Sequence, residues 1–190
     1  MPKHPAPFDR SKRPLGAAKL DELALAYVAR FATSRAKLLR YLARKVRESE
    51  WMDESDAMAA CEAVADRMER LHYLDDRQYA AMRAGAMTRR GLGVRRVRAQ
   101  LYVDGIAEAD SGEAIEAAES AAVAAAIGFA RRRRLGPFAA RGLDDPKLRE
   151  RQVAAFVRAG HSPALARHIL GVAPGDADAL AALDAGAALD

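Results

Sequence analysis

Between Leu71 and Ile106 two runs of helical periodicity are separated by little more than Gly-Leu-Gly, and this punctuation limits the fold more than any other stretch. In the first run Tyr79, Met82 and Met87 recur at roughly helical intervals. Asp75 stands ahead of it with Gln78 three residues on, the polar spacing of a capping box. Asp76 adds a negative charge where the helix dipole is positive, and Arg89 and Arg90 close the run where cations suit the negative end. Gly91 and Gly93 break it. Val94, Val97 and Leu101 then mark the apolar edge of a second helix, with Arg95, Arg98 and Tyr102 beside that edge. Gly105 ends it as a glycine just past a helix does. From 75 to 105 there are seven arginines against Asp75, Asp76 and Asp104, a net of +4. The stretch predicts two short helices, a tight turn and a cationic face.

The same 3.6-residue rhythm fills the rest of the chain. No run alternates apolar and polar residues long enough to read as a strand, so the 190 residues predict an all-α protein. The 51% apolar content is largely alanine, which buries little area per residue. Such helices suit shallow layers better than one large core. Residues 1–17 are rich in Pro, Lys and Arg without periodicity and read as a disordered basic arm. Thr33 or Ser34 is expected to cap one helix, and Asp53 or Ser55 the next, whose Met58, Cys61, Val64, Met68 and Leu71 form an apolar stripe. Trp51, in the connection, is expected to pack over helix ends. An acidic helix follows Gly105–Ile106 and carries Glu108, Asp110, Glu113, Glu116 and Glu119. Its charges either neutralise neighbouring arginines or form an exposed acidic face. An Ala-rich helix from about Glu119 to Leu135 ends in Arg131, Arg132, Arg133 and Arg134, which read equally as a phosphate or acidic-protein contact and as a solvated helix end. Asp145–Pro146 and Ser162–Pro163 are start signals for two further helices. Residues 172–190 hold four Asp and no base and read as a flexible acidic tail.

Segments recur. The run from Val97 resembles that from Gln152 at an ungapped offset of 55, so Leu101 falls on Phe156, Gly105 on Gly160 and Ile115 on Leu170. The expected organisation is three tandem helix-turn-helix-like repeats of three helices each, at 18–73, 74–118 and 119–171, stacked as an elongated, curved array.

The net charge of +5 favours an acidic partner. The single Cys61 excludes an internal disulfide and fits a reducing compartment. No apolar run reaches the ~20 residues needed to cross a bilayer, and the amino terminus lacks the apolar core of a secretory signal, so the expected location is the cytoplasm, without membrane contact. His4, His72, His161 and His168 do not form a zinc pattern with one distant Cys, and no phosphate-binding glycine loop is present. No cofactor, metal or catalytic constellation is expected, and the chain does not read as an enzyme.

At the Leu71–Ile106 stretch the sequence resembles the RecX family of bacterial recombination regulators. The family's Gly-Tyr-Leu-Asp-Asp turn, followed by an aromatic-Ala pair, is similar to His72-Tyr73-Leu74-Asp75-Asp76 followed by Tyr79-Ala80. Its Arg-x-Gly-x-Gly-Pro-x-x-[Ile/Val]-x-x-x-Leu, ending in Lys-Gly-Ile, is similar to Arg89 through Leu101 and Asp104-Gly105-Ile106. The departures are His72 for Gly, Val94 for Pro and Asp104 for Lys. The last takes a positive charge from the expected basic face, so affinity is expected to differ there first. The resemblance spans roughly residues 20–171. It implies a monomeric protein that binds the RecA filament and meets single-stranded DNA directly or through RecA. It also implies inhibition of RecA ATPase, strand exchange and coprotease activity in DNA repair and the SOS response. The contact candidates are Arg83, Arg89, Arg90, Arg95, Arg96, Arg98, Tyr102 and Arg131–Arg134; Tyr73, Asp75, Asp76, Gly91, Gly93 and Gly105 are the structural motif. The alternative is a helix-turn-helix-like module that binds nucleic acid directly.

Overall fold

The computed structural model describes residues 13–140 and 145–185, and these are almost entirely helical. The rest of the expected basic arm, residues 1–12, and of the acidic tail, residues 186–190, lies outside the described residues. The chain divides into two compact units, 1–75 and 76–190.

The first unit holds α1 (Ala17–Arg30), α2 (Arg35–Arg47) and α3 (Ala57–Arg70) around Leu20, Leu38, Leu42, Cys61, Val64 and Met68. Burial among them raises the Cys61 thiol pKa above its ordinary value, so the side chain serves as a small hydrophobe. Ser34 caps α2 by accepting from the Lys37 N–H at 3.3 Å. Asp56, rather than Asp53 or Ser55, caps α3 by accepting from the Ala59 N–H at 2.8 Å. Met58 and Leu71 are about half exposed, at 49% and 56%, so the expected apolar stripe of α3 is narrower than its spacing suggests.

Two elements depart from an all-helical reading. Arg13–Leu15 (β1) and Ser49–Trp51 (β2) pair in parallel, so the supposed arm is ordered from Arg13 and its Leu15 is buried. Asp53 has a different task from the one expected of it. Gly16 at the start of α1 has no capping side chain, and Asp53 Oδ2 accepts from the Ala17 N–H at 2.6 Å instead. Trp51 packs against the same core, and its Nε1 donates to the Ser55 carbonyl at 2.7 Å.

The second unit contains two three-helix groups, each with its own core. The first comprises α4 (Asp76–Arg89), α5 (Val94–Asp104) and α6 (Glu108–Ser120), around Tyr79, Ala84, Met87, Val97, Leu101 and Ile106. The next comprises α7 (Ala122–Arg133), α8 (Pro146–Ala159) and α9 (Pro163–Gly171), around Ala126, Ile127, Phe156, Ile169 and Leu170. The single Ala-rich helix expected from Glu119 to Leu135 is divided at Ala121, between α6 and α7. Part of the expected flexible tail forms α10 (Ala177–Asp184), whose Leu180 packs on the last core.

The residues matched at an offset of 55 occupy equivalent places. Leu101 and Phe156 are both fully buried, and Gly105 and Gly160 both end their helices in the left-handed conformation, φ 79° and 97°. The next residues are Ile106 and His161, and both are buried.

Candidate functional site

The turn between α4 and α5 is built against the α8–α9 turn. Gly91 takes φ 73°, open to glycine without strain, and Gly93 approaches the backbone of Gly160 so closely that an added Cβ would lie 2.4 Å from its carbonyl. The Gly93 N–H donates to the Ala159 carbonyl at 2.9 Å. His161 Nε2 donates to the Gly91 carbonyl at 3.0 Å while its ring rests among Phe129 and Phe156. Nδ1 is buried without a partner among the described residues, and burial lowers the His161 pKa below its ordinary value. A neutral Nε2–H imidazole fits this seam. Arg132 adds Nη1 to the carbonyl of Arg89 at 3.4 Å, so one member of the 131–134 run acts at the end of α4.

Of the expected contact residues, Arg89, Arg90, Arg95 and Arg96 lie exposed around this seam, with no carboxylate partner among the described residues. Arg98 is exposed but engaged by Glu119 at 3.1 Å. Arg83 turns inward to Asp104 at 3.5 Å. Asp104 itself is only 4% exposed; its carboxylate accepts from the Tyr79 hydroxyl at 2.8 Å and from Gln100 Nε2 at 3.1 Å. The expectation that Asp104 weakens an exposed basic face is therefore corrected. The residue is a buried acceptor that ties α5 to α4, and its cost of burial is offset by the Tyr79 and Gln100 donors and by the charge of Arg83. Tyr102 is 83% exposed but borders Glu108, Glu116 and Glu119, so it stands in acidic surroundings.

Among the motif residues, Asp75 precedes α4 and Asp76 opens it. Tyr73 is 53% exposed, and Leu74 is the member of that turn that enters the core. His72 has φ 59°, which explains why a glycine suits this position. Val94 is the first residue of α5, a place where proline is favoured.

Arg131–Arg134 are all exposed. Arg131 lies over the Phe138 ring at 5.2 Å, Arg133 over Phe129 at 5.9 Å, and Arg134 is the left-handed cap of α7. Sequence reasoning missed what stands next to them. Arg133, Arg151 and Arg158 line a groove of about 520 Å³ between the end of α7 and α8, floored by Leu135 and Leu148. The signal was present as an i, i+7 pair of arginines on the outer face of α8. Over residues 122–171 ten Lys/Arg face three Asp/Glu, a net of +7. Over 76–120 seven Arg face seven Asp/Glu, a net of zero.

Among the described residues no group of three His, Cys, Asp or Glu is placed to hold a metal, and no helix is long and apolar enough to cross a membrane. The fold and site define an all-α protein that presents charged grooves on small helical groups. No protein-family model matches the chain. Regulatory protein RecX of Myxococcus xanthus (strain DK1622) is 31% identical over 156 residues, covering 80% of this chain and 83% of the relative. The crystal structure of a regulatory protein RecX has the same fold, with a TM-score of 0.59 at 19% identity over 80% of this chain and 70% of that one. The chain belongs to the RecX family.

Proposed function

We propose that this protein regulates RecA by binding the RecA–single-stranded DNA filament, and that it chiefly inhibits RecA ATPase, strand exchange and coprotease activity. The observation that carries this reading is the charge left uncompensated on the second unit. Arg89, Arg90, Arg95, Arg96, Arg131, Arg133 and Arg134 are exposed and have no carboxylate partner among the described residues, and residues 122–171 hold a net +7. Such a surface suits acidic protein and nearby phosphates. The relative's designation as a regulatory protein supports the same role. The protein acts in the cytoplasm as a monomer and without catalysis, and its three helix groups serve as repeats that each offer a different surface.

A second reading, direct binding of nucleic acid, is favoured by the arginine groove beside α8. RecA ATPase on single-stranded DNA, measured with and without this protein, separates the two when DNA binding by the protein alone is followed in parallel. Filament regulation predicts ATPase inhibition at protein concentrations too low to occupy free DNA. Inhibition that appears only once the DNA is saturated supports direct binding instead.

A further inference from the structure

We propose that the groove between α5 and α6 is a docking site for a segment of a partner protein, one that presents a Lys or Arg beside an aliphatic residue. The groove has a volume of about 530 Å³. Its floor is apolar, formed by Leu101, Ile106 and Ile115, and Tyr102 stands 83% exposed along one wall. Nothing lies within 4 Å of where a Cβ on Gly112 would point, so the α6 side is open. The rim carries Glu108, Glu116 and Glu119 against one cation, Arg98, which Glu119 already holds at 3.1 Å. Three carboxylates against one engaged guanidinium leave the groove negative on a chain whose net charge is +5.

Charge complementarity selects the occupant. A phosphate chain is repelled from this rim, whereas an ammonium or guanidinium gains Glu108 and Glu116 together with the face of Tyr102. The apolar floor adds what a free cation does not use, namely a place for an aliphatic side chain a turn away. A protein segment supplies both. The inference uses no part of the RecA reading, so each stands or falls alone.

The test is a ¹H–¹⁵N titration of the full chain with a capped, Ala-rich twelve-residue peptide that bears Arg and Leu four residues apart. The controls are the same peptide with Glu for Arg and a twelve-nucleotide oligo-dT. The basic peptide is expected to move the amides of Tyr102, Ile106, Ile115 and Glu116 saturably, while the acidic peptide leaves them in place. Glu108→Gln/Glu116→Gln, both exposed and conservative, is expected to weaken binding about tenfold, as the loss of two surface ion pairs should. Tyr102→Leu keeps an apolar wall and is expected to weaken it severalfold. Any one of four results overturns the proposal. These are saturable shifts that map elsewhere, unchanged affinity in the double variant, displacement of the same amides by oligo-dT, and displacement on concentrating the protein alone, which would make a second copy the occupant.

Discussion

The α4–α6 and α7–α9 groups share an architecture and treat charge in opposite ways. The first balances seven bases with seven acids. It buries one acid, Asp104, beneath Tyr79, Gln100 and Arg83, and spends two more on Arg77 and Arg98. The second carries ten bases against three acids and leaves its arginines along α8 and at the end of α7 facing solvent. Equivalent positions diverge likewise, with Ile106 in one group where His161 stands in the other. One helix group thus carries no net charge, although its Arg89, Arg90, Arg95 and Arg96 stay exposed without a carboxylate partner among the described residues, and the other carries a net +7. The stretch that looks most basic in the sequence belongs to the group without net charge.

The largest way to break this contrast is Asp104→Ala. It removes the carboxylate that accepts from the Tyr79 hydroxyl and faces the Arg83 guanidinium, and about 3 kcal/mol of stability should disappear in denaturant unfolding. A change below about 0.5 kcal/mol would return Asp104 to the surface role first expected of it. Next is the seam between the groups. Gly93→Ala forces a Cβ against the Gly160 carbonyl, and a loss of about 2 kcal/mol should appear in thermal unfolding.

His161 sharpens the comparison through pH. Its folded pKa is lowered, so the unfolded chain binds the extra proton. The stability it contributes is complete above the unfolded value of about 6.5 and is lost as pH falls from there through the folded value. His161→Ile, which copies Ile106, should flatten that part of the stability–pH curve; an unaltered curve would place the dependence elsewhere. The smallest effect belongs to the first unit. His72→Gly relieves a left-handed non-glycine residue at the cost of a looser unfolded chain, and a gain of about 0.5 kcal/mol is expected from urea midpoints.

Local signals in the sequence were legible where the chain answers to its near neighbours. Asp145 accepts from the Lys147 N–H and Ser162 from the Leu165 N–H, and Gly91, Gly105 and Gly160 turn where expected. What depends on residues far apart was not legible. Arg13–Leu15 pairs with a strand 36 residues on, Tyr79 meets Asp104 across 25 residues, and His161 meets Gly91 across 70. Helical spacing places Met58 on an apolar face, yet the side chain stays about half exposed. The candidate site divides in the same way. Exposure of Arg89, Arg90, Arg95 and Arg96 follows from their places beside the turn, whereas the arginine groove needs α7 and α8 brought together.

The central claim is that exposed arginines without a carboxylate partner, those of the α7–α8 groove foremost, meet the anionic partner, and that the paired Arg77 and Arg98 do not. The direct measurement is RecA ATPase on single-stranded DNA titrated with two variants of matched fold. Arg133→Glu/Arg151→Glu/Arg158→Glu should raise the concentration needed for half-inhibition by about a hundredfold, as reversal of several charge contacts at one surface does. Arg77→Ala/Arg98→Ala, whose arginines are held by Asp110 and Glu119, should stay within about threefold of the parent. Full inhibition by the reversed variant, or its loss in the paired one, would contradict the account.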